Sequence, residues 1–208
     1  VNFNPLVIFA ADIGSIKNKH FGWCRLEYNN NQVTTGDSID DLTQTIKKDL
    51  QNGLSICLGF ECPLFVGLSD NPNELTSKRE GEGSRPWSAG AGAGSLATGL
   101  VEVLWVFERL AKSCKVSIFP TFKFEDIFEG KSNFLLWEAF ISKDGKGYSH
   151  IEDATIAASE FSRRLRYKSF KSDVNVANVY SLVGAALLRS GITTDIRVLS
   201  EPCVVVKK

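Results

Sequence analysis

The run Leu6-Val-Ile-Phe-Ala-Ala11 constrains this chain more than any other stretch, because an unbroken series of apolar, often branched or aromatic residues suits a strand buried on both faces. Such a strand belongs in the middle of a layered fold, with helices above and below it. It ends on Asp12, with Gly14 close behind, so a carboxylate is carried to the edge of the sheet. An Asp near a Gly is ordinary turn chemistry by itself. Its meaning depends on what else reaches that edge.

Downstream, the polar loop Ile16–His20 leads into Phe21–Glu27, whose alternating pattern predicts a second strand. Asn29-Asn-Asn31 turns the chain into a short strand near Gln32–Thr35, which completes a three-strand meander. Ser38 is placed to cap a helix carrying Ile39, Leu42, Ile46 and Leu50 on one face and ending at Asn52-Gly53. Leu54–Phe60 reads as another buried strand; it ends on Glu61 and is stopped by Cys62-Pro63.

Residues 63–90 form an irregular insertion without clear periodicity, a candidate lid or substrate loop. A long helix is expected from Ser95, since Leu96, Leu100, Val103, Phe107 and Leu110 recur at helical spacing. Lys115–Phe119 reads as a short strand closed by Pro120, and Phe134–Ile141 fits either a helical turn or a strand. From His150 a helix carries Ile151, Ala154, Ala158, Phe161 and Leu165 on one face. A further helix is expected over Ala177–Arg189 with Gly191 as its cap, then an extended segment over Ile196–Val206. Meandering strands followed by alternating helices and strands give an α/β fold, a mixed sheet with helices on its faces. At 208 residues this is one domain, 1–208, with 170–208 as a C-terminal extension.

A formal net charge of zero removes any global electrostatic drive toward nucleic acid or membrane. The 5 cysteines are scattered, without a Cys-x-x-Cys pair, which argues against a disulfide framework or zinc knuckle and for a reducing, cytoplasmic setting. The longest apolar stretches contain Glu61 or Glu102 and no basic-then-apolar leader opens the chain, so no membrane association is expected. Gly92-x-Gly94-x-x-Ala97 fits a loose dinucleotide fingerprint, but no strand precedes it and no Lys follows it. These small residues suit close helix packing or free amides facing an anion. Arg163, Arg164, Arg166, Lys168 and Lys171 could track a phosphate backbone or form a solvated helix end.

If the strands ending at Asp12 and Glu61 are parallel neighbours, their carboxylates share the rim where open α/β sheets bind ligands. Asp153, near the start of a later helix, would be the third acid. Three acids without a basic partner repel one another, so a divalent cation is the natural occupant, and Mg²⁺ or Mn²⁺ suits an all-oxygen set. His150, one turn before Asp153, could join as a ligand or a proton-transfer group.

The strand end Asp12-Ile-Gly14-Ser15, the hairpin after it, Glu61 after a buried strand, and His150-x-x-Asp153-Ala at a helix start together resemble the ribonuclease H-like superfamily, in particular the branch of the Holliday-junction resolvase RuvC. Glu61-Cys-Pro through Arg79 and Arg85-Pro-Trp-Ser-Ala-Gly-Ala-Gly-Ala-Gly, with Glu152-Asp153-Ala, also resemble an uncharacterised family of predicted RNase H-like nucleases. The resemblance implies a mixed five-stranded sheet with helices on both faces and two-metal hydrolysis of a phosphodiester, the ions ~4 Å apart. It implies that Asp12 bridges both ions while Glu61 holds one and Asp153 the other. Ser15, Arg79, Arg85 and Trp87 become candidates for binding a nucleic acid or nucleotide, by clamping phosphate or stacking on a base. The chain departs from the resolvase pattern in carrying His150 where an acid is common. Two other classes fit parts of the pattern: a phosphotransferase of the actin and sugar-kinase type, whose first strand also ends in Asp-x-Gly, and a binding module that kept the fold and lost the metal.

Overall fold

The structure, a computed structural model, describes residues 5–84, 86–167 and 171–208. Strands β1 (Leu6–Asp12), β2 (Gly22–Glu27) and β3 (Val33–Gly36) form an antiparallel meander. Helix α1 (Ile39–Gln51) follows, capped by the Ser38 side chain, which accepts from the Asp41 amide. It delivers the chain to β4 (Ser55–Phe60), which pairs in parallel with β1. After the short β5 (Phe65–Gly67) come α2 (Gly90–Ser113), β6 (Pro120–Thr121), α3 (Phe124–Phe128) and β7 (Phe134–Phe140), the last parallel to β4. Helix α4 (His150–Arg166), β8 (Val179–Ser181), α5 (Leu182–Ser190) and β9 (Val204–Lys207) complete the order.

The central mixed sheet has seven strands, running β3-β2-β1-β4-β7, with β6 and β9 both on the outer edge of β7. β6 pairs with Phe134 and Leu135, while β9 takes Trp137 to Phe140. Two short strands thus share one edge end to end, where the resemblance implied a sheet of five strands. Strand β8 pairs with β5 in a separate two-stranded ribbon.

Burial on both faces explains the unbroken apolar strands. Val7, Phe9 and Ala11 of β1 pack with α1, α2 and α5, whereas Leu6, Ile8 and Ala10 face α3 and α4. Trp137 and Phe161 stack with ring centroids 4.2 Å apart on the α4 side. Gly59 is required there, because a Cβ on it would lie 2.2 Å from the Trp137 ring. By length and composition α2 could cross a membrane, and in this structure it packs against α1 and α5.

Several boundaries differ from those expected. The strand expected over Lys115–Phe119 lies instead at Pro120–Thr121, where proline can begin an edge strand that needs no amide from it. Phe134–Phe140 is a strand. Helix α2 begins at Gly90 rather than Ser95, so the glycine-alanine run is its first turn. Within Ala177–Arg189 the helix begins only at Leu182, because residues 179–181 are drawn into pairing with β5 and Ser181 then supplies the cap. Ile196–Ser200 is a 3-10 turn capped by Asp195, leaving Val204–Lys207 as the terminal strand.

Candidate metal centre

Strand pairing brings the first two acids together. Ala11 is in register with Phe60, and the Glu61 amide donates to the Ala11 carbonyl at 2.8 Å, so Asp12 and Glu61 leave the same rim of the sheet side by side. Helix α4 brings the third. Its Ser149 cap accepts from the Glu152 amide, and Gly22, in register with Asp12, lets the helix start press against β2. A Cβ on Gly22 would lie 2.4 Å from the backbone of His150 and Ile151. Asp12, Glu61 and Asp153 consequently each offer a carboxylate oxygen within 4.8 Å of the others.

The surroundings hold these oxygens in place and leave one free. Asp153 Oδ1 accepts from the Gly147 amide at 2.6 Å, and His150 Nδ1 lies 2.5 Å from Asp12 Oδ2. Lys146 Nζ reaches both Glu61 Oε1, at 3.3 Å, and Asp153 Oδ2, at 3.2 Å. Glu61 Oε2 is buried with no hydrogen-bond partner among the described residues. Burial raises the Asp12 pKa against the opposing pull of His150 and Lys146. Burial, then repulsion by Asp12 and Asp153, pushes Glu61 up to about 8 although Lys146 opposes it. For Lys146 burial acts against the charge, but Glu61, Asp12 and Asp153 outweigh it and raise the pKa.

A fourth carboxylate, absent from the sequence-derived site, lies close by. Glu102 of α2 is buried, receives a hydrogen bond from the Gly14 backbone, and is pushed up to about 7 by burial and by Asp12. Its Oε2 has no partner among the described residues. The signal was present as an acid inside an apolar helix, spaced from Ser95 and Thr98 so that all three share a stripe.

A cavity of about 370 Å³ opens onto this cluster, lined by the start of α2, Trp87, and Phe140 and Ile141 at the end of β7. Trp87 faces it while its ring nitrogen donates to the Ser77 carbonyl at 3.0 Å. Arg79 is placed elsewhere, which corrects the expectation of a substrate clamp. Its guanidinium is fully buried and forks onto Glu82, at 2.8 Å, and Glu138, at 2.6 Å, while also donating to the Phe65 carbonyl. Ser15 is exposed at the start of the 3-10 turn Ile16–Asn18 and does not line the cavity. Arg85 and Lys168 lie outside the described residues. Arg163 and Arg164 pair with Glu160, and Arg166 donates to Tyr28 and Asn31, all toward the far end of α4 from Asp153, roughly 15–20 Å away at 1.5 Å per residue.

The donor set suits a hard divalent cation: oxygen ligands only and, among the described residues, one of those oxygens without a partner and three acids against a single lysine. Comparison of the chain with models of known families, with curated proteins and with solved structures found no match.

Proposed function

We propose that this protein is a Mg²⁺- or Mn²⁺-dependent hydrolase of phosphodiesters on a ribonuclease H-like fold, with Asp12, Glu61 and Asp153 as the metal ligands. One observation carries the reading: three acids far apart in sequence, on β1, just after β4 and on α4, converge to within 4.8 Å at one sheet rim. The mixed sheet, with β1 antiparallel to β2, parallel to β4 and covered by helices on both faces, supports the architecture that the sequence resemblance implies.

Bound there, divalent ions would supply an activated water and stabilise the leaving oxygen. The chain's own residues supply orientation. His150 fixes the outer oxygen of Asp12, and the Gly147 amide fixes Asp153, the kind of support that sets ligand geometry. Trp87 offers an aromatic wall in the cavity for a base. Because the acids are recessed, with Asp12 and Asp153 buried and Asp12 and Glu61 lining the cavity, and the chain is neutral overall, the reading favours a nucleotide or a single strand over a long duplex.

The test is hydrolysis of an activated phosphodiester, bis-p-nitrophenyl phosphate, and of single- and double-stranded oligonucleotides with Mg²⁺, Mn²⁺ or chelator. Metal-dependent cleavage is expected, falling to background in Asp12→Asn. His150→Ala is expected to lower activity or metal affinity by about 10- to 100-fold, as loss of a ligand-orienting partner does. Cleavage that persists in chelator, or in Asp12→Asn, would overturn the assignment. So would a protein that binds no Mn²⁺ at all.

A further inference from the structure

We propose that Lys146 is the resident cation of this centre in the metal-free protein, and that it leaves the carboxylates when a divalent ion enters. The inference rests on reading Asp12, Glu61 and Asp153 as the metal ligands. Its own observation is the position of one atom: Nζ lies 3.3 Å from Glu61 Oε1 and 3.2 Å from Asp153 Oδ2, bridging two of the three acids whose ligand atoms cluster within 4.8 Å. Among the described residues no other lysine and no arginine pairs with any of these three acids.

An ammonium there and a divalent ion on the same oxygens exclude each other. A carboxylate oxygen holds Mg²⁺ at about 2.1 Å, so an ammonium retained beside those oxygens would face the ion across a short, poorly screened gap. The lysine has a way out. Its side chain is 39% exposed, on a flexible four-carbon stem. It follows the 3-10 turn Lys143–Gly145, and its neighbour Gly147 grips Asp153 through the backbone. The backbone anchor can therefore stay while the side chain swings toward solvent. Without metal, Lys146 offsets part of the carboxylate repulsion; with metal, it becomes a free cation at the cavity mouth, placed to meet an anionic substrate. The metal affinity then carries the cost of displacing it.

Two measurements on the full chain test this. Mn²⁺ titration followed by electron paramagnetic resonance compares the wild type with Lys146→Met, which is expected to bind about tenfold or more tightly. Independently of any variant, acylation of lysines by an amine-reactive ester, read by mass spectrometry, is expected to label Lys146 several-fold faster with saturating Mg²⁺ than without. Exposed Lys112 serves as reference, and Asp12→Asn is expected to remove the increase. Equal or weaker Mn²⁺ binding by Lys146→Met, or unchanged labelling in Mg²⁺-saturated wild type, would overturn the displacement. Absence of Mn²⁺ binding in both proteins would instead overturn the metal centre on which the inference rests.

Discussion

At the scale of single residues, the buried acids set how stability responds to pH. Glu61 is raised from 4.5 to about 8 and Glu102 from 4.5 to about 7, in both cases chiefly by burial. A carboxyl group with a raised folded pKa binds more protons folded than unfolded between the two values, so stability falls as pH rises through that window. The metal-free protein is therefore expected to lose melting temperature between about pH 4.5 and pH 8, and saturating Mg²⁺ or Mn²⁺ should remove most of the loss. Calorimetry across this range, with and without metal, reads it directly. Glu160 acts with the opposite sign: Arg163 and Arg164 hold it at about 2, so its contribution is present above 4.5 and is lost toward pH 2. The two windows do not overlap, which allows them to be separated. Glu102→Gln should raise metal-free stability at pH 8 by about 1–3 kcal/mol, since it removes a buried charge that lacks a full set of partners. A drop in stability at that pH would show that its contact with Gly14 matters more than its charge.

At the scale of elements, the centre depends on where α4 begins. The buried alanines Ala154, Ala157 and Ala158 let that helix lie close to the sheet, and Gly22 lets its first turn close onto β2 beside Asp12. Gly22→Ala would place a Cβ 2.4 Å from the backbone of His150 and Ile151, and neither backbone nor strand can give cheaply. We expect about 1–3 kcal/mol of destabilisation and a loss of Mn²⁺ binding out of proportion to it, checked by denaturant melts and spin resonance on the same preparation. Ser149→Ala removes the α4 cap and should cost about 1 kcal/mol while leaving metal binding nearly intact. On the opposite face, Gly92 within the Gly90–Ala97 run sits against the Pro86 carbonyl, 2.3 Å from where a Cβ would lie, and Gly99, beyond that run, packs on Cys62, whose Sγ a Cβ would meet at 2.5 Å. Gly94 has open space around it and carries no such constraint.

At the scale of the whole molecule, the segment after β4 is tied to the sheet by a buried ion network. Arg79 forks between Glu82 and Glu138, Glu138 also accepts from the Leu64 amide, and Glu82 from the amides of Arg79 and Trp87. The network positions Trp87 at the cavity without touching the acids itself. Glu138→Ala leaves a buried guanidinium without one partner and should cost about 3–5 kcal/mol, visible in denaturant melts and as faster protease cleavage between residues 68 and 84. The C-terminal residues join the same body: β9 extends the main sheet, β8 pairs with β5, and Asp173 bridges to Arg164 at 2.6 Å.

The chain by itself determined the parts of this molecule that rest on local pattern. Buried strands on both faces show as continuous apolar runs, so β1 and β4 and the acids at their ends were legible, as were α1 from its period and its Ser38 cap and α4 from its period. Local pattern carries no information about which strand fills an empty edge or which charge an arginine meets. Only tertiary packing decided that β6 and β9 share the edge of β7, that Arg79 turns inward to Glu138, and that Lys146 and Glu102 join the three acids. The ion pairs among these outcomes join residues far apart in the chain, Arg79 with Glu138 and Lys146 with Glu61, because a charge taken out of water is stabilised by whichever opposite charge the fold brings within reach.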